Sequence, residues 1–392
     1  MPQLPKRLLS IDVLRALTMF LMIFVNDADG IKQIPEWIGH APGDADALGF
    51  ADTIFPAFLF IVGLSLPFAI NNRIKKGDGP VQVLFYIFIR SAALLIMGFY
   101  HVNLEGYDEA TAPLLKAVWA LIITTAFFLI WMDYPETLAK TRKNLLIGLG
   151  VAILLAMAII YKGCDDDEVA RGMRPGWWGI LGIIGWAYLA CAVLYYVLRK
   201  KLAYLVTCWA ALIALNIIGH SMAPKFRLWL VGDGASEALI MGGIVASRLY
   251  ALLAEQGKPQ RLWATFITIG IGLLAAGFAI RPFAQGISKI HATPAWVLIC
   301  SGITLLVFLL FIYWVDVRGN KNLFNWIRPA GTSTLTCYLM PYFQVFILKL
   351  FITKYPDVIN TGATGLLRSV LTSFVLIALV GLMEKKHLRL KI

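Results

Sequence analysis

Apolar runs about twenty residues long, each closed by a short polar break, recur along the whole chain. A helix crossing the hydrocarbon core of a bilayer needs about 20 mostly apolar residues. The pattern predicts twelve such spans, near 8–26, 52–70, 82–100, 113–132, 144–161, 177–198, 202–219, 236–254, 261–280, 295–315, 332–352 and 364–383. The expected fold is therefore all-α, a polytopic membrane bundle of about 11–12 transmembrane helices forming one domain over residues 1–392. The eleventh span carries Pro341 and several hydroxyls, so it is expected to be broken or re-entrant. Paired halves of the kind that build many transporters are not evident.

The polar breaks alternate in charge. One set holds Lys6 and Arg7; Arg73, Lys75 and Lys76; Lys140, Arg142 and Lys143; Arg199, Lys200 and Lys201; Lys258 and Arg261; Arg318, Lys321 and Arg328; and Lys385, Lys386, Arg389 and Lys391. The other holds the loop with His40, then Glu105, Asp108 and Glu109, then Asp165, Asp166, Asp167 and Glu168. Basic loops mark the cytoplasmic side. Both termini are thus expected in the cytoplasm and His40 outside it. The first apolar run lacks a small-residue cleavage site and reads as a retained helix, which points to a bacterial inner membrane.

Composition agrees with the pattern. The chain is 59% hydrophobic and 15% charged, against about 45–50% and 25% in soluble domains. Its net charge of +12 is dispersed through short loops, not gathered beside stacking aromatics, so nucleic acid is not an expected partner. The five cysteines are far apart and have no metal-ligand spacing, so no metal is expected. Glycine-rich phosphate loops, zinc-protease motifs and serine-hydrolase elbows are missing.

Chemistry concentrates in the first loop, where Asn26, Asp27, Asp29, His40, Asp44, Asp46 and Asp52 lie between two apolar runs. Histidine titrates near neutrality, and carboxylates nearby fix its tautomer and raise its basicity. His40 is the candidate base, with Asp52 and Asp46 as its expected partners. Asn26 either ends the first helix or donates to a developing oxyanion. Asp12 and Arg15 share one face at the other end of that helix, as an intrahelical pair or as part of a pocket for an anionic cofactor. Arg90 and Arg248, inside the third and eighth spans, are candidates for an ion pair or a phosphate contact. His101, His220 and His291 are alternative bases.

Arg7, Ser10, Asp12, Arg15, Met22, Val25 and Asn26, a loop His, then Ala51, Asp52, Phe55, Pro56, Phe58, Phe60 and Gly63 form a pattern that resembles the heparan-alpha-glucosaminide N-acetyltransferase family. Pro294, Trp296 and the run Val315, Asp316, Val317, Arg318, Gly319 resemble that family's last third. The resemblance covers roughly half the chain. It implies a membrane-bound acetyltransferase that takes the acetyl group from cytoplasmic acetyl-CoA to a glucosamine-type, heparan-like amino sugar on the far side. It further implies His40 as base or acyl acceptor, Asn26 beside the transferring carbonyl, and Asp12, Arg15 and Arg90 toward the acetyl-CoA. The loop departs from the family: His40 stands twelve residues before Asp52 instead of about ten, and Pro42, Gly43 and Asp44 replace a Trp and an Asn. A homodimer is expected by analogy alone. The rival readings are a secondary transporter of a small solute and an O-acyltransferase of envelope glycans.

Overall fold

The computed structural model describes residues 8–164, 169–221, 231–257, 259–320, 322, 324–351 and 355–392. Lys6, Arg7, Asp165, Asp166, Asp167, Glu168, Lys258 and Lys321, used above for charge patterning or resemblance, lie outside them.

Each predicted span is a helix. In order these are α1 (Leu9–Ala28), α2 (Ala51–Lys75), α3 (Pro80–Val102), α4 (Lys116–Trp131), α5 (Lys140–Ile159), α6 (Gly179–Leu198), α7 (Leu202–Ser221), α8 (Ala235–Glu255), α9 (Pro259–Ile280) and α10 (Pro294–Phe311). A short α11 (Arg328–Thr332) precedes α12 (Thr334–Phe351) and α13 (Gly362–Lys385). Among the described residues, eleven helices are long and apolar enough to cross a membrane. The expected fourth span is the exception, because α4 has 16 residues and reaches only about 24 Å at 1.5 Å per residue. Strand is confined, among the described residues, to the pair Gly163–Cys164 and Ala170–Arg171. The chain is an all-α polytopic integral membrane protein. Its lipid-facing surfaces are correspondingly apolar: α5 exposes Leu145, Leu149, Leu155 and Ile159.

The eleventh span is interrupted at Ser333, between α11 and α12, while α12 runs unbroken through Pro341. The chain breaks beside the proline-led turn, not at the mid-span proline.

Helix α2 is the spine of the bundle, packing along α8 and touching α1, α6 and α10. Its crossing with α8 is set by two glycines. A Cβ on Gly63 would stand 1.9 Å from the Ile240 carbonyl, and one on Gly243 would stand 2.0 Å from the Phe60 carbonyl. Small residues let backbones approach where lipid supplies no hydrophobic drive. Neither position accepts a methyl group without moving a helix.

Helix α1 begins on a distant carboxylate. Asp316, in the π-helical turn Ile312–Val317 after α10, accepts the Leu9 N–H at 2.9 Å and the Ser10 N–H at 3.2 Å. The first N–H groups of a helix have no intrahelical acceptor and carry its positive dipole end. Asp316 satisfies both demands and joins the two sequence regions that carry the family resemblance.

Candidate active site and the cavity behind it

His40 and Asp52 meet at one end of the bundle. The loop after α1 turns through Glu36–Ile38 and doubles back so that Phe50 donates its N–H to the Trp37 carbonyl at 2.7 Å. Gly49 lies against the chain just before His40, where a Cβ would come within 2.1 Å of the Gly39 carbonyl. This closure places His40 Nδ1 2.6 Å from Asp52 Oδ1. The second carboxylate oxygen accepts N–H bonds from Ala41 at 2.9 Å and Gly49 at 3.1 Å.

A carboxylate held by two backbone donors can only accept, so the His40 Nδ1 proton points at it and Nε2 is the basic nitrogen. The Asp52 side chain is 4% exposed and that of His40 35%. The pair is an imidazole oriented by a buried carboxylate and open on one side to solvent.

The Asp52 backbone carbonyl has its own requirement. Its α-helical donor would be the N–H of residue 56, but Pro56 has none. Trp296 on α10 supplies the missing donor, its indole N–H reaching the Asp52 carbonyl at 3.0 Å in a buried bond. Asp52, Pro56 and Trp296, all in the resembling stretches, are thus one structural unit.

Asp46 does not join His40. Its carboxylate accepts the Ile287 N–H at 2.6 Å and the Arg281 Nε–H at 2.8 Å, tying the first loop to the loop between α9 and α10. The Ile287 bond, with Arg281 added, holds this carboxyl below its ordinary value, burial opposing it only partly. Asp27 is also engaged elsewhere: on α13, Ser369 Oγ at 2.7 Å and Arg368 at 3.2 Å donate to it, as does Gln344 of α12 at 3.0 Å. A neighbour in sequence was not a neighbour in space for either acid.

The alternative histidines are placed differently. His101 is buried between α3 and α12, stacked on Tyr342 with ring centroids 3.8 Å apart. His220 sits within 2.8 Å of the His291 carbonyl and 2.9 Å of the Asn216 carbonyl, bracing α7 against the α9–α10 loop.

Asp12, Arg15 and Arg90 come together at the other end, in the wall of one cavity of about 2190 Å³. Its exposed rim includes Lys75, Glu255 and Arg261. Arg15 donates to Asp12 at 3.2 Å, to the Gly331 carbonyl at 3.3 Å and to Ser65 Oγ, linking α1 with α2 and α11. Arg90 donates to Tyr86 at 3.2 Å and lies 5.4 Å from the Tyr188 ring centroid. Arg15, Lys75, Arg90, Arg199, Arg248, Arg261 and Lys391 line the cavity against the acids Asp12 and Glu255. Clustered guanidinium groups of this kind suit phosphate oxygens. Sequence singled out Arg15, Arg90 and Arg248 but not their convergence with Arg199 and Lys391.

Further in, the wall turns apolar, through Met19, Met22, Phe58, Val62, Leu94 and Leu335. On α1 the lining residues Ile11, Asp12, Arg15, Met19 and Met22 fall at helical spacing on a single face. Asn26, the next position of that stripe, is exposed one turn beyond Met22. On α2 the lining ends at Phe58, six residues from Asp52, about 9 Å along the axis. The cavity and the His40–Asp52 pair are therefore carried at opposite ends of the same two helices.

No protein-family model matches the chain. A stretch of 100 residues, 26% of the chain, is 35% identical to human heparan-alpha-glucosaminide N-acetyltransferase and covers 14% of that protein. A stretch of 140 residues, 33% of the chain, is 26% identical to the mouse protein of the same name and covers 21% of it. The aligned stretches thus span well under two thirds of either relative. They support the similarity to a membrane N-acetyltransferase that the residue pattern suggested.

Proposed function

We propose that this chain is a membrane acetyltransferase that takes the acetyl group of acetyl-CoA, bound in the cation-lined cavity, to an amino-sugar acceptor at His40. The observation that carries the reading is that helices α1 and α2, which line the cation-rich cavity as far as Met22 and Phe58, also lead to the acid-oriented histidine, Asp52 standing six residues before Phe58 on α2. The similarity to heparan-alpha-glucosaminide N-acetyltransferases supports the same reaction and a glucosamine-type acceptor. By the loop-charge pattern the cavity opens to the cytoplasm and His40 faces away from it.

The donor set fits the co-substrate. Its phosphates would lie among Arg15, Arg90, Arg199 and Arg248, and its pantetheine arm along the apolar upper wall. Met19 and Met22 are unbranched and rotate readily, so they can part for the arm.

At the far end His40 Nε2 accepts the proton of the attacking amine as its nitrogen bonds to the thioester carbonyl carbon. Negative charge then grows on the carbonyl oxygen, and the Asn26 amide, one turn beyond Met22 on α1, would donate to it. Collapse breaks the carbon–sulfur bond, and the thiolate leaves with the proton His40 holds. A two-step route, with His40 Nε2 itself acetylated first, uses the same groups.

The test is transfer of labelled acetyl from acetyl-CoA to glucosamine by purified protein in detergent, beside His40→Ala. Transfer by the wild type and not by the variant, with CoA still raising the melting temperature of both, is the expected result. Absence of transfer and of CoA binding would defeat the reading and favour the transporter.

A further inference from the structure

Lys289, in the loop between α9 and α10, is a third charged group at the candidate centre. Its Nζ lies 3.2 Å from His40 Nδ1 and 3.9 Å from Asp52 Oδ1, and its side chain is 29% exposed. Since the Nδ1 proton is directed at Asp52, and an ammonium has no lone pair to offer, Lys289 makes no hydrogen bond to the ring in this arrangement. What it brings is a positive charge held against the imidazole.

The surrounding chain fixes that charge in place. Thr293 Oγ1 accepts the Ser288 N–H at 3.0 Å, and Ser288 Oγ accepts that of His291 at 3.3 Å. The Ala292 N–H bonds the Lys289 carbonyl at 3.1 Å. Two residues earlier, Ile287 is anchored on Asp46. Burial pushes the Lys289 ammonium below its ordinary value, with Asp52 and then Asp29 opposing the shift.

We propose that Lys289 is a positioning residue for His40, its charge opposing the protonation of the imidazole that Asp52 favours. The inference deepens the acetyltransferase reading and rests on it for its functional meaning. A base or acyl acceptor must enter the reaction unprotonated, and a lone buried carboxylate beside it would hold a proton on the ring. Asp52 from α2 meets both the ring and Lys289, Asp29 from the end of α1 acts on Lys289, and the buried thiol of Cys300 on α10 lies near Asp52. Removing the ammonium leaves carboxylates as the charged groups there, so the imidazolium gains.

The experiment reads protonation of His40 directly. Diethyl pyrocarbonate acylates the neutral ring, and mass spectrometry of the His40 peptide follows the labelling rate against pH in full-length protein in detergent. For a charge at this distance in a partly exposed site, Lys289→Met should raise the labelling midpoint by about one pH unit. Lys289→Gln, which keeps a polar side chain, should do the same, and Lys289→Arg should restore the wild-type midpoint. A midpoint that stays or falls in both neutral variants overturns the proposal. Labelling needs no acetyl donor. A moved midpoint without acetyl transfer would therefore defeat the acetyltransferase reading alone, and an unmoved midpoint with transfer intact would defeat this inference alone.

Discussion

Trp296 donates its indole N–H to the backbone carbonyl of Asp52 at 3.0 Å, across 244 positions of sequence, because Pro56 denies that carbonyl its helical partner. A buried acceptor left empty costs about 1–3 kcal/mol. Trp296→Phe is therefore expected to lower thermal stability by that amount and to loosen the His40–Asp52 pair. Pro56→Ala returns an N–H to the helix. The double variant should recover part of the loss, and a double-mutant cycle by thermal denaturation with no coupling would refute the account.

Asp52→Asn should be as damaging to transfer as losing the imidazole. The amide turns an N–H toward His40 Nδ1, which then becomes the acceptor and puts its proton on Nε2. Loss of a base with the right tautomer is worth about 10²–10⁴-fold in turnover. The steady-state rate should fall by that factor while CoA binding, measured by thermal shift, stays put.

Arg90→Gln removes a cation from the cavity but leaves His40 untouched. A charge-assisted hydrogen bond contributes about 1.5–3 kcal/mol, so the dissociation constant for CoA should rise about ten- to a hundredfold. Calorimetric titration giving an unchanged constant would remove Arg90 from the binding site.

Much of this was readable in advance, and the remainder has identifiable causes. Twenty-residue apolar runs gave every membrane helix, since lipid permits few other backbones. His40 and Asp52 were legible as neighbours because the single loop that holds His40 must return the chain to the start of α2, where Asp52 stands. Lys289 was not: it lies in a distant loop with no motif, and only tertiary folding brings it within 3.2 Å of His40. Asp46 misled for the opposite reason, being close in sequence while Arg281 and Ile287 claim both of its oxygens.

The Asp46 clamp also titrates. Hydrogen bonds from Ile287 and Arg281 lower its folded value, so its contribution is present above the unfolded value of about 3.9 and is lost as pH falls through the folded one. At neutral pH, Asp46→Asn should speed hydrogen exchange of the Ile287 amide. As pH falls well below 4 the wild type should approach the variant, and a difference that persists there would contradict the assignment.

Asp27 and Arg368 form an ion pair with side chains 7% and 13% exposed, fastening α1 to α13. Removing one partner of such a buried pair costs about 3–5 kcal/mol. Asp27→Ala should unfold at distinctly lower temperature, and a variant within experimental error of the wild type would show the pair to be ornamental.

The apolar inner wall of the cavity bears on the membrane as much as on the proposed reaction. On α1 and α2 its lining stops at Met22 and Phe58, and His40 is not part of it. A bilayer that stores energy as an ion gradient is discharged by any continuous thread of water across it. The apolar side chains of Met19, Met22, Phe58 and Val62 along its inner wall offer such a thread few hydrogen-bonding partners. In the proposed reaction a two-carbon group carried on a slender arm would travel along that apolar wall, on which protons and sodium ions, which need a hydrated path, would find little support.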